Sequence, residues 1–150
     1  MSICVYGRIK RKCINENLLE GFLADFFSLK SDLIREKEGN FVTYEGVNNE
    51  SEVLVSFVSE KKPPYNVYDS NIIGNEYEYV QLILFDFEKE NASIDEYKKI
   101  IEFFIYIKEK IDSDILVTSD VHDDICLLVE NEVIWSKNLP FIIIVESCNS

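Results

Sequence analysis

The stretch 77-YEYVQLILFDFE-88 decides the fold. Side chains of an extended strand point alternately to opposite faces. One set here contains Tyr77, Tyr79, Ile83, Phe85 and Phe87. The other contains Glu78, Val80, Leu82, Leu84, Asp86 and Glu88. Both sets are substantially apolar, so the segment reads as a strand in the middle of a sheet, covered on both sides.

Downstream of this strand the period changes. Ile94, Tyr97, Ile101, Phe104 and Ile111 fall on one helical face, and Ile100, Phe103 and Ile107 widen it. Ser93 or Asn91 can cap this helix over 94–111, Asp95 and Glu96 suit its first turn, and Lys108 and Lys110 suit its last. Three short strands follow: 115-ILVT-118, 125-ICLLVE-130 and 133-VIWS-136. Glu130, Asn131 and Glu132 make the reversal between the last two. The apolar tail 139-LPFIIIV-145 makes 141–145 a candidate for a final strand.

Upstream, 41-FVTYEG-46 and 53-VLVSFVSE-60 read as strands joined through 46-GVNNES-51. The segment 61-KKPPYNVYDSNIIGNE-76 is the long irregular stretch. Its two prolines lack amide donors and resist both helix and central strand, and loops of this length are often functional. A helix over 18-LLEGFLADFFSL-29 carries apolar residues on one broad face. Asn15 or Asn17 can cap it, and Gly39 is a plausible stop. Residues 2–9 suit an initial strand. The order is β-α-β-β-β-α-β-β. Short turns between consecutive strands imply antiparallel pairing. The economical solution is α+β: one domain over 1–150, a single antiparallel sheet of five to seven strands, and two helices packed on one face. The other face is expected to be partly wet.

At 150 residues the chain can bury a sizeable core, and 47% hydrophobic residues place it far from disorder. No run approaches the ~20 apolar residues of a membrane span. The N-terminal apolar run is too short for a signal peptide, and 8-RIKRK-12 follows it rather than preceding it. The expected location is therefore cytoplasmic. Cys4, Cys13, Cys126 and Cys148 form no metal-ligand spacing and are expected to be free thiols, Cys4 and Cys126 as small core residues. Charge is the strongest compositional signal. The net is −13. Residues 1–40 hold 7 Lys/Arg against 6 Asp/Glu, and residues 41–150 hold 8 against 22, so the second part carries −14. Such a field repels nucleic acid and anionic membrane, and it attracts a basic partner.

Catalytic signatures are missing. There is no GxSxG, no HExxH and no EF-hand spacing, and five glycines leave little for a phosphate cradle. No cofactor is implied. The stretch 119-SDVHDD-124 holds the single histidine, His122, among Asp120, Asp123 and Asp124. If extended, Asp120, His122 and Asp124 would share a face, which a hard cation could use in a small metal-dependent hydrolase. No second histidine exists to complete such a site, so a solvated acidic connection between two strands is the better reading. Tyr65, Tyr68, Tyr77 and Tyr79 cluster around the proline-containing segment with Asp69, Glu76 and Glu78 interleaved. Tyrosines beside carboxylates suit a basic partner. The partner-binding candidates are therefore Tyr65, Tyr68, Asp69, Glu76, Glu78, Asp120, Asp123 and Asp124. The basic run 8-RIKRK-12 reads as a solvated strand end.

The second half also resembles a known group. The strand 80-VQLILFDFEKE-90, the helix 94–111, then 113-SDILVTSD-120 and the hairpin 125-ICLLVENEVIWS-136 are similar in order and hydrophobicity to immunity proteins of bacterial polymorphic toxin systems, including contact-dependent growth inhibition. The likeness covers roughly residues 50–137 and carries over no functional residue. It implies a non-enzymatic protein that binds a cognate toxin C-terminal domain, with a basic nuclease cleft as the expected target. An acidic adaptor without a toxin is the other binding-class reading.

Overall fold

The computed structural model describes residues 4–27, 34–38, 41–48, 51–87, 94–120 and 123–137. The elements are β1 (Cys4–Ile9), α1 (Glu16–Phe27), β2 (Ile34–Glu38), β3 (Phe41–Asn48), β4 (Ser51–Val58), β5 (Val67–Ser70), β6 (Asn75–Glu78), β7 (Gln81–Asp86), α2 (Ile94–Lys110), β8 (Ile115–Ser119), β9 (Asp123–Val129) and β10 (Glu132–Trp135). The fold is α+β, with an antiparallel sheet ordered β10-β9-β8-β1-β7-β4-β3-β2 and a separate hairpin, β5-β6. The suggested strand at 141–145, the caps Asn91 and Ser93, the stop Gly39 and the cysteine Cys148 lie outside the described residues.

The central pair is β1 and β7, in the register Gly7↔Ile83. β1 also pairs antiparallel with β8, so β7 and β8 run parallel and α2 is the crossover between them. By the same count of antiparallel neighbours, β1 and β2 are parallel and α1 connects them. The two crossovers run in opposite directions along the sheet from strands of opposite sense. An in-plane half-turn relates them, so the right-handed sense such connections nearly always take places both helices on the same face.

Packing agrees. Leu19, Phe22 and Leu23 of α1 and Tyr97, Ile100, Ile101, Phe103, Phe104 and Ile107 of α2 share one core with Val5, Ile9, Val55, Phe57, Ile83, Phe85, Ile115 and Val117. Phe26 meets Phe103 at 5.5 Å between ring centroids, and Phe85 meets Phe103 at 5.2 Å, both edge-on. Phe104 presses onto Gly7, where an added Cβ would clash with its ring. Asn15 caps α1: the Leu18 amide donates to its Oδ1 at 2.8 Å. Gln81 points to this helical face with no exposure. Its Oε1 accepts from the Cys13 and Ile14 amides at 3.1 and 3.0 Å, and its Nε2 donates to the carbonyls of Ile14 (2.7 Å) and Ser59 (3.2 Å). Three of its four bonds hold the β1–α1 connection to the sheet, and the fourth reaches the residue after β4.

Three features differ from the sequence reading. First, Ile34–Glu38 pairs with β3 as an extra edge strand, which with the returning strand β10 takes the sheet to eight. Its sequence, IREKE, has none of the apolar density that marks a strand, and charged residues suit an edge. Second, most of the stretch read as irregular, 61–76, folds into the hairpin, with Tyr68 opposite Tyr77 and Asp69 opposite Glu76. Third, the long strand 77–88 is two strands. Tyr79 and Val80 carry the chain from the hairpin into the sheet: the Tyr79 amide donates to the Asn66 carbonyl, the Val80 amide to Ile9, and the Lys61 amide to Val80. The segment β7 is nevertheless central, as its two apolar sides require.

Candidate functional site

The hairpin lies on the sheet face opposite the helices. Tyr77, Tyr79, Leu82, Leu116 and Leu127 form a second buried cluster there, with Tyr6, Tyr68, Ile72 and Ile134 packed against it. The hairpin therefore roofs part of the face expected to be partly wet, while Phe41 on β3 stays exposed. Strand alternation selects which hairpin residues go in and which stay out: Tyr68, Ser70 and Tyr77 point toward the sheet, and Val67, Asp69, Glu76 and Glu78 are exposed.

Asp124 fastens this roof. It is only 1% exposed. Its Oδ2 accepts from the Ser70 hydroxyl at 2.6 Å and from the Ile72 amide at 3.0 Å, while Ser70 Oγ accepts from the Ile73 amide at 3.2 Å. Its Oδ1 is buried with no hydrogen-bond partner among the described residues. Asp124 thus departs from the expectation of an exposed partner contact. A bulge in the β8–β9 ladder sets Asp124 opposite Thr118, on the hairpin side of the sheet.

Beside it sits Arg8. Its guanidinium lies 4.2 Å from the centroid of the Tyr68 ring and 5.0 Å from those of Tyr6 and Tyr79. It donates to Tyr79 Oη at 2.8 Å and to Thr118 Oγ1 at 3.2 Å. The run 8-RIKRK-12 is therefore not uniformly a solvated end. Arg8 shares the β1 face of Tyr6, and the hairpin closes over it; Lys10, Arg11 and Lys12 remain exposed. Tyr68 is half-buried, and its hydroxyl is held above the usual tyrosine range by burial and by the Asp124 and Asp123 charges.

Asp120 and Asp123 are exposed, in keeping with an acidic connection between β8 and β9. Tyr6 donates its hydroxyl proton to Asp120 Oδ1 at 2.8 Å. Burial and then the Asp86 and Asp120 charges push the neighbouring Cys4 thiol up to about 11 from 9.0. A thiol so protonated is a poor nucleophile at neutral pH. Cys4 is half-buried on this face rather than in the main core, whereas Cys126 is buried in the core as expected. His122 lies outside the described residues. Among the described residues, no group of three His, Cys, Asp or Glu side chains could hold a metal ion.

The fold therefore brings Tyr68, Asp123 and Asp124 together, with Asp120 nearby through Tyr6. Tyr65, Asp69, Glu76 and Glu78 lie on the outer side of the same hairpin. Among the described residues none of Asp69, Glu76, Glu78, Asp120 or Asp123 pairs with a lysine or arginine. An open groove of about 900 Å³ lies elsewhere, between the end of α2 and the β9–β10 turn, lined by Lys10, Lys108 and Lys110 and by Asp114, Glu130 and Glu132. None of the sequence candidates lines it. No helix among the described residues is long and apolar enough to cross a membrane.

No family model, curated protein or solved structure matches this chain.

Proposed function

We propose that the chain is a non-enzymatic immunity protein: it binds a cognate toxin domain through its acidic surface and neutralises it. The observation that carries this reading is the division of labour among its polar groups. The side chains best suited to chemistry are used internally, Asp124 fastening the hairpin, Arg8 half-buried among tyrosines and Cys4 held as a thiol. Among the described residues, the exposed carboxylates Asp69, Glu76, Glu78, Asp120 and Asp123 have no lysine or arginine partner. Uncompensated surface charge of one sign steers an oppositely charged partner and speeds the encounter. A nuclease cleft, basic because it holds phosphates, is the target such a surface suits.

The test starts from the gene immediately upstream: if it encodes a large secreted protein, the C-terminal domain of that protein is co-expressed with this chain, and a small unrelated product there counts against the reading. A stable 1:1 complex is expected, together with loss of toxicity. Its association rate should fall at least about tenfold between low and physiological salt. Absence of a complex removes the immunity reading. A salt-indifferent rate removes its electrostatic basis.

A further inference from the structure

The hairpin carries a second signal besides charge. Five large hydrophobic residues are exposed among the described residues, and three of them, Tyr65 (73%), Ile73 (42%) and Val67 (37%), lie in its 14 residues from 65 to 78. Exposed apolar side chains rimmed by polar ones are the anatomy of a protein interface. The support beneath is buried and hydrogen-bonded. Tyr77 and Tyr79 are buried and donate to the carbonyls of Asp114 and Tyr65, both at 3.2 Å, and Asp124 holds the far end.

The outer rim is also electrostatically unfavourable for the chain alone. Asp69 and Glu76 are directly opposite across β5–β6, and Glu78 is opposite Val67. Like charges directly opposite on a strand pair are destabilising, and an isolated two-stranded hairpin is marginal to begin with. Neither carboxylate has a cation partner among the described residues. A group that supplied one positive charge between them would relieve the repulsion, and a planar guanidinium matches two carboxylates better than a point charge does.

We propose that the outer face of β5–β6 is the interface, and that its occupant is a basic protein surface that seats an arginine between Asp69 and Glu76 against Tyr65 and Val67. This rests on the partner-binding reading above and names the surface and the chemistry that it would use. The test follows amide shifts of the intact chain titrated with a nona-arginine peptide. A second arm uses the variant Asp69→Asn/Glu76→Gln, and a control variant, Asp95→Asn/Glu109→Gln, removes the same charge from α2. Shifts centred on residues 65–78 are expected, with affinity at least about tenfold weaker in the hairpin variant and changed less than about threefold in the control. The hairpin variant should also melt no lower than the parent, because repulsion is removed, so weak binding cannot be read as misfolding. Shifts spread evenly over the surface, or equal losses in the two variants, overturn the proposal. Peptide binding on the hairpin with no complex to the upstream-encoded domain would keep this surface and retire the immunity reading. A toxin complex indifferent to the hairpin variant would do the reverse.

Discussion

Gln81 shows how a single side chain can organise a junction. It is buried with two donors and two acceptors all used. Replacing it with leucine of similar size would remove the partner of the Cys13 and Ile14 amides and of the Ile14 carbonyl, at a junction that is buried around Ile14. The expected cost is about 3 kcal/mol, read from urea denaturation. At Gly7, substitution by valine should cost at least about 3 kcal/mol, because Phe104 occupies the space and a packed core gives little. A milder, partly accommodated valine would show up as a loss under about 1 kcal/mol in the same measurement. The Cys4 thiol gives a pH prediction. Its folded value, about 11, is raised above 9.0, so the stability it contributes is present below pH 9 and is lost as pH rises through 11. Alkylation of Cys4 by iodoacetamide should accordingly be slow at pH 8 and climb roughly tenfold per pH unit towards 11. Rapid labelling of Cys4 at pH 8 in the folded protein would contradict the burial assigned here.

The hairpin is the element that turns a plain antiparallel sheet into a platform. Its connection to the sheet depends on one buried carboxylate. In Asp124→Ala the Ser70 hydroxyl and the Ile72 amide lose their acceptor, so hydrogen exchange at Ile72, Ile73 and Gly74 should accelerate at least about tenfold while the β1 and β7 amides stay protected. Uniform acceleration would mean global destabilisation rather than release of the hairpin. The clustering of tyrosines and carboxylates around the proline-containing segment was legible, though its strand pairing was not, and Tyr65, Asp69, Glu76 and Glu78 do reach the surface. The inward turn of Tyr68 and the burial of Asp124 were not legible. They depend on which sheet face the hairpin covers, and residues more than 50 positions apart decide that.

At the scale of the molecule the net charge of −13 acts on the folded state itself. Self-repulsion opposes compaction. Raising NaCl from about 0.02 to about 0.5 M shortens the screening length from roughly 20 to roughly 4 Å, so the melting temperature should rise by a few degrees. A melting temperature that falls with salt would show that favourable ion pairs outweigh the repulsion. The ion pairs Arg11–Asp112 at 3.5 Å, Lys12–Glu60 at 3.8 Å and Lys98–Glu102 at 3.7 Å are exposed or half-exposed and contribute little.

Period and composition alone determined the α+β class, the two helices with their buried faces, and the central position of 81–86. Each follows from side-chain spacing along one segment, and burial rewards that spacing wherever the segment packs. The edge strand at 34–38, the division of 77–88 and the roof over the second sheet face were decided only by the tertiary structure. The first is charged and gains its pairing from β3. The second breaks because the chain must change layers at Tyr79–Val80. The third needs Ser70 and Ile72 to meet Asp124, and local sequence carries no record of a bond between segments that far apart.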